Sequence, residues 1–452
     1  EEDPRVDGDW RTGLLDFGRT NPVMNGPEGG RWLEWIAFNI RREPEPNRSA
    51  WVALAKRAVA QLNKAAVPYK DGVWIVYGQS PPDDGFKSIQ DAETIPSWIP
   101  FLKIHPPTGV GASGDTWGVQ GLCAIYRVTK DPEALKLAGR LARYIKDYGK
   151  MIAADGRLLS ELPPGATHWH HSFQAAMACA EYGAAAHDRE FLGFADTAYR
   201  HVMTFCNREI GFAPEYCYGS FPRQQDIDNT EACCSAGLVL MALWLSTSGY
   251  ADYWDDVDRY IRNHIAALQM TDTRWFYDIP ENRSKYRYPD PEVEKIIGPL
   301  VGQFGGWATA NEWHIPEFGP GIMTCCVGNS TRAFYYVWER MVDSSNDRRL
   351  RVHLMLNRAS RWADINSYLP YEGKFEMKLK ARCKEILVRA PEWIPTGSGE
   401  ISFKVNGKPR GLRWSGRYVN LGAGEPGQIF TLLFPVSVKQ VKATNGRSPF
   451  TL

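Results

Sequence analysis

The sequence predicts a mainly α protein with a β module, an (α/α)6 barrel (toroid) followed by a C-terminal β-sandwich. Three observations predict it. Amphipathic helix pairs recur at a nearly constant interval, the periodicity switches from 3.6 to 2 near residue 345, and 452 residues suffice for one large domain plus a module. The barrel is placed at 1–345 and the sandwich at 346–452, with 1–50 as an irregular segment packed on the barrel.

Residues 51–66 (WVALAKRAVAQLNKAA) carry helical periodicity. A pair of helices follows over 114–148, broken at TKDPEAL, where Asp131 caps and Pro132 takes the first helical position. A second pair spans 168–206, broken at AHDREFL, and a third spans 230–269, broken at STSGYADYW. The breaks lie 57 and about 60 residues apart, the spacing of helical hairpins in a toroid; a solenoid of helix pairs shares that spacing. Segments 168–187 and 230–247 are the most apolar and read as inner helices. Residues 67–112 are rich in Pro and Gly and read as irregular, and 278–322 reads as a long Pro/Gly/Trp-rich insertion of the kind that walls a site. Beyond STRAFYYVWERMV, short runs alternate at period two: RLRVHLML, KFEMKLKA, KEILVRA, EISFKVNGKPR, RYVNLG and QIFTLLFPVSV. The VNGKP stretch is a hairpin turn, and strands of this number and length suit a sandwich.

Fifty-three basic against 52 acidic residues leave a charge of +1, without the positive field a nucleic-acid or polybasic membrane partner requires. No stretch approaches the roughly 20 apolar residues of a membrane span. The chain begins Glu-Glu-Asp-Pro rather than with methionine, a start that leaves the compartment open. Nine cysteines over this length do not make a disulfide scaffold. Four of them form two vicinal pairs, Cys233-Cys234 and Cys325-Cys326, and adjacent cysteines bridge each other poorly.

The thiols carry the strongest chemical signal. In NTEACCSAG, Glu231 and Cys233 stand at a helix start that Thr230 can cap; in GIMTCCVGNSTRAF, Cys325 and Cys326 precede a helix capped by Asn329 or Ser330. Three thiolates and a carboxylate suit tetrahedral zinc, which accepts sulfur and oxygen alike; buried packing cysteines are the competing reading. Glu215, in GFAPEYCYGS, stands among aromatics that would raise its pKa and suit it to general acid work, or is a solvated loop glutamate. His168, His170 and His171 in THWHHSF precede a helix without an acidic partner and fit substrate contact better than metal binding. Tyr277 and His314 are further cleft candidates, and Cys383 reads as a buried strand residue. Neither a Gly-rich phosphate loop ahead of a helix nor a G-x-S-x-G elbow is present.

These motifs, in this order, resemble glycoside hydrolase family 127, the β-L-arabinofuranosidase-like family, and the related family 146. The resemblance runs from about residue 110 to the C-terminus and is most specific at TEACC and TCCVGN. It implies the toroid and sandwich, and retaining hydrolysis of oligosaccharides or glycoconjugates by a zinc-held cysteine. Carried over residue by residue, it implies Glu231, Cys233, Cys325 and Cys326 as zinc ligands, Cys325 as nucleophile and Glu215 as general acid/base. It also implies Tyr277 and one of the three histidines as sugar contacts. The chain departs from the family in four ways: the earlier inner helix reads GDTWGVQGLCAIY, without the family's histidine and with Trp117 near its position, Val327-Gly328 replaces a proline pair, the chain is shorter than typical members, and 278–322 is enlarged. Three alternatives remain open: the same mechanism on another sugar, a polysaccharide lyase using the histidines with Tyr277, and a sugar-binding protein with structural zinc.

Overall fold

The computed structural model describes residues 27–75, 113–159, 167–217, 230–306, 324–438, 440, 442–445 and 448–451. Its contacts divide into two compact units, one of Glu1–Cys206, Ala213–Ile227 and Trp244–Ala251, the other of Asn207–Phe212, Asp228–Leu243 and Asp252–Leu452. The helices and the strand-rich C-terminus expected from the sequence are both present. Among the described residues no helix is long and apolar enough to cross a membrane.

The first unit holds α1 (Pro27–Arg42), α2 (Asn47–Ala65), the hairpin β1 (Ala66–Tyr69) and β2 (Gly72–Ile75), α3 (Ser113–Thr129) and α4 (Pro132–Asp147). It continues with β3 (Thr167–His168), α5 (Trp169–Ala186), α6 (Arg189–Val202) and β4 (Tyr216–Cys217). The predicted helix breaks are built as read. Asp131 accepts a bond from the Glu133 amide at 3.0 Å, with Pro132 opening α4. Asp188 accepts from the Glu190 amide at 2.9 Å at the start of α6. Each side chain satisfies a backbone donor that the first helical turn leaves without an intrahelical acceptor. Across the α3–α5 contact, Arg127 and Glu181 form an ion pair at 2.6 Å with the carboxylate 1% exposed. Such a pair is worth little on balance, but removing one partner would strand a buried charge.

The N-terminal stretch 1–50 is not irregular throughout: α1 spans Pro27–Arg42, and α2 already begins at Asn47. Leu33, Ile36, Ala37 and Ile40 of α1 are buried at helical spacing. Gly30 serves close packing. A Cβ on Gly30 would sit 2.0 Å from the Trp117 carbonyl oxygen, and one on Gly121 would sit 2.5 Å from the Gly30 carbonyl oxygen. Residues 67–75, also read as irregular, form most of the β1–β2 hairpin; residues 76–112 lie outside the described ones.

The second unit contains α7 (Ala232–Thr247) as far as Leu243, α8 (Trp254–Arg259) running into a π-helical turn at Tyr260–Ile265, and three short helices, α9 (Arg274–Asp278), α10 (Pro280–Arg283) and α11 (Pro291–Ile297). After α12 (Thr324–Arg340) the chain is built of strands: β5 (Val342–Ser344), β6 (Arg349–Val352), β7 (Arg358–Ala359), β8 (Ala363–Ser367), β9 (Lys374–Leu379), β10 (Cys383–Arg389), β11 (Ser402–Val405), β12 (Lys408–Arg410), β13 (Arg413–Ser415), β14 (Tyr418–Gly424) and β15 (Ile429–Leu433). They form a five-stranded sheet in the order β13-β14-β10-β6-β5 and a six-stranded sheet in the order β12-β11-β15-β9-β8-β7. Alternate residues point to the core, among them Phe375, Met377 and Leu379 of β9 and Phe430 and Leu432 of β15. The sheets meet at Gly424, where an added Cβ would stand 2.4 Å from Leu379 and 3.1 Å from Ile386. The β11–β12 hairpin turns at Asn406 (φ 49°) and Gly407 (φ 76°), the two left-handed residues of the turn that VNGKP predicts. Cys383 is buried at the start of β10.

Candidate metal centre and active-site residues

Two helix N-termini build the thiol cluster. Glu231 stands immediately before α7, and Cys233 and Cys234 lie in its first turn. Helix α12 begins at Thr324, so Cys325 and Cys326 also lie in a first turn. This corrects the expectation that they precede a helix capped by Asn329 or Ser330: both of those residues are inside α12, and both are buried. Their polar character serves tertiary contact, and the Asn329 amide donates to Cys233 Sγ at 3.0 Å. The positive ends of two helix dipoles therefore converge on sulfur, which favours thiolates.

The four candidate ligand atoms of Glu231, Cys233, Cys325 and Cys326 all lie within 4.8 Å of one another. Cys233 Sγ and Cys326 Sγ are 3.3 Å apart, and Cys325 Sγ and Cys326 Sγ are 3.9 Å apart. Glu231 Oε1 is 3.3 Å from Cys326 Sγ and 3.9 Å from Cys325 Sγ. A tetrahedral zinc with Zn–S of about 2.3 Å and Zn–O of about 2.0 Å sets neighbouring donors about 3.5–3.8 Å apart. The donor set thus fits zinc in both chemistry and spacing. Burial pushes the Cys233 thiol well up, and hydrogen bonds with Cys233 and Cys325 do the same to Cys326. Four such acids ionise together at this spacing only around a cation. The sulfurs are not equivalent: Cys233 and Cys326 are fully buried, whereas Cys325 is half-buried. Cys234 is buried too, with its Sγ 4.0 Å from Glu231 Oε2.

A second group of candidates gathers in the first unit. Strands β3 and β4 pair His168 with Tyr216, next to Glu215 in sequence. The Trp169 indole donates to the carbonyl of Pro214 and packs edge-on against Phe173, 5.1 Å between centroids. The histidine-led segment is thereby fixed beside Glu215, which is 5% exposed. His170 is buried and lies 2.7 Å from the Gln174 amide nitrogen, and the Gln174 carbonyl accepts from Gln120 at 3.2 Å. This Gln120–Gln174–His170 chain links α3 to α5, and sequence reading missed both glutamines because helical spacing alone does not mark them. Trp117, on α3, is buried under the Arg31 guanidinium, 3.9 Å from the ring. His168 and His171 are placed by backbone only, and His314 lies outside the described residues.

In the second unit the Tyr277 hydroxyl donates to Glu294 at 2.9 Å and accepts from the Asp290 amide at 3.0 Å. It braces α9 against the start of α11. His264, in the π-helical turn, lies 2.6 Å from Ser235 Oγ on α7 and stacks on Phe212. Burial pushes its pKa down from 6.5 to about 4. The unfolded chain therefore binds the extra proton first, and stability falls as pH drops from 6.5 toward 4, by up to roughly 3 kcal/mol. Denaturant titrations across that range check this: His264→Gln is expected to flatten the acid limb relative to wild type.

No protein-family model matches the sequence, and no curated protein matches it by sequence. Solved structures do share the fold. A GH127 β-L-arabinofuranosidase from Geobacillus stearothermophilus T6 superposes at a TM-score of 0.51 and 14% identity, covering 98% of this chain and 79% of its own. A second GH127 β-arabinofuranosidase has a TM-score of 0.49 at 13% identity, with 96% and 76% covered. The fold is thus that of a GH127 β-L-arabinofuranosidase, although few residues are shared.

Proposed function

We propose that the protein is a retaining glycoside hydrolase, β-L-arabinofuranosidase-like, in which an (α/α)6 toroid and a β-sandwich carry a zinc-thiolate centre. Glu231, Cys233, Cys325 and Cys326 would hold the zinc, with Cys325 as nucleophile and Glu215 as general acid/base. The observation that carries the reading is the four-donor cluster in which Cys325 is half-buried and the other three residues are buried. Bound zinc would keep the sulfurs as thiolates at neutral pH.

In this reading Glu215 donates its proton to the departing glycosidic oxygen as Cys325 Sγ attacks the anomeric carbon. The C–O bond breaks, a C–S bond forms, and the free alcohol leaves. Glu215, now a carboxylate, takes a proton from water, and that water displaces the Cys325 thiolate from the opposite face. Two inversions return the original configuration. A sulfur nucleophile takes the place that a second carboxylate fills in most retaining glycosidases. The histidine segment, Trp117, Tyr277 and His314 are the residues assigned to the sugar wall.

Metal analysis with a screen of nitrophenyl glycosides tests the reading. The expected result is about one zinc per chain and turnover of a furanoside with retained configuration. Glu215→Gln is expected to lower kcat by roughly 10²- to 10⁴-fold. A metal-free protein that turns over no aryl glycoside, or one that releases an ultraviolet-absorbing unsaturated product from a uronic polymer, would overturn it.

A further inference from the structure

Three sulfurs on one ion are chemically alike unless the protein distinguishes them. Asn329 does so. It lies four residues beyond Cys325 on α12, hence on the same helix face, and it is 1% exposed. Its side-chain nitrogen reaches across to α7 and donates to Cys233 Sγ at 3.0 Å. That distance places the amide within hydrogen-bond reach of the sulfur. Cys233 is thereby enclosed: it is fully buried, it accepts the amide, and Cys326 Sγ stands 3.3 Å away.

We infer that Asn329 is a positioning residue that makes Cys233 a permanent metal ligand and so reserves reaction for Cys325. The inference rests on the zinc-thiolate reading above. A hydrogen bond to a ligating sulfur draws electron density from it, which lowers its nucleophilicity and fixes its orientation, as outer-shell partners do at other metal sites. The same bond ties the first turn of α7 to α12, so the two halves of the donor set keep their spacing.

Asn329→Leu removes the donor while keeping similar bulk. With cobalt(II) loaded in place of zinc, the variant is expected to show its sulfur-to-metal charge-transfer absorption at longer wavelength. Metal affinity should fall about 10- to 100-fold. Iodoacetamide on the cobalt-loaded wild-type protein should alkylate Cys325 and spare the buried Cys233. Unchanged absorption and affinity would overturn the inference alone, whereas a wild-type protein that binds no cobalt would take the metal reading down with it. Should the variant fail to fold, the wild type still decides: alkylation of Cys233 as fast as Cys325 in the loaded protein contradicts the assignment.

Discussion

Cys325→Ser is expected to reduce turnover of an aryl furanoside by roughly 10⁴- to 10⁶-fold, the range seen when a covalent nucleophile is removed. The argument begins with accessibility. Of the three cysteines in the donor set, Cys325 is half-buried while Cys233 and Cys326 are fully buried, which is why it is the one proposed as nucleophile. It also stands at the first turn of α12, where the helix dipole favours negative charge. Serine keeps the shape, but its hydroxyl ionises far less readily than a thiol and forms a poorer leaving group in the second step. Steady-state kinetics on the purified variant measure the loss, and an unchanged circular dichroism spectrum excludes misfolding as its cause. Activity within tenfold of wild type would exclude Cys325 as nucleophile.

Stripping the metal, or replacing Glu231 by alanine, is expected to have the largest effect on stability. Four acidic groups whose ligand atoms lie within 4.8 Å repel one another or must bind protons when no cation holds them. Their pKa shifts point the same way, since burial holds Cys233 up and hydrogen bonds with Cys233 and Cys325 hold Cys326 up. A ligand bound only to the folded state stabilises it by about 4 kcal/mol at roughly 1,000 times its dissociation constant. Thermal unfolding with a chelator should therefore begin well below that of the zinc-loaded protein. Added zinc should restore the midpoint and added magnesium should not, because sulfur ligands select the softer ion. Glu231→Ala should unfold near the chelated midpoint even with zinc present. Equal midpoints in all samples would mean that the cluster packs as neutral thiols.

Much of this was legible in the residues, for local reasons. The helix breaks were readable because Asp131 and Asp188 cap at fixed offsets and Pro132 marks a first turn. The cluster of Glu231, Cys233, Cys325 and Cys326 was readable because Glu-x-Cys and a vicinal cysteine pair are unusual strings that suit zinc, although packing cysteines fit them as well. Tertiary causes hid the rest. The stretch 1–50 reads as irregular because the close approach of Gly30 to Trp117, which lets α1 pack, is a tertiary contact. Asn329 reads as a cap because its acceptor, Cys233, stands far away in sequence on another helix. The difference between the three sulfurs lies in their burial and in the Asn329 bond to Cys233, neither of which spacing encodes.

The most direct test of the account is covalent trapping. Protein treated with a mechanism-based furanosyl electrophile, digested and sequenced by mass spectrometry, should carry one sugar adduct, on the peptide containing Cys325 and at its sulfur. The adduct should be absent from Cys325→Ser. An adduct on Glu215, Glu231 or any other carboxylate would contradict the cysteine mechanism.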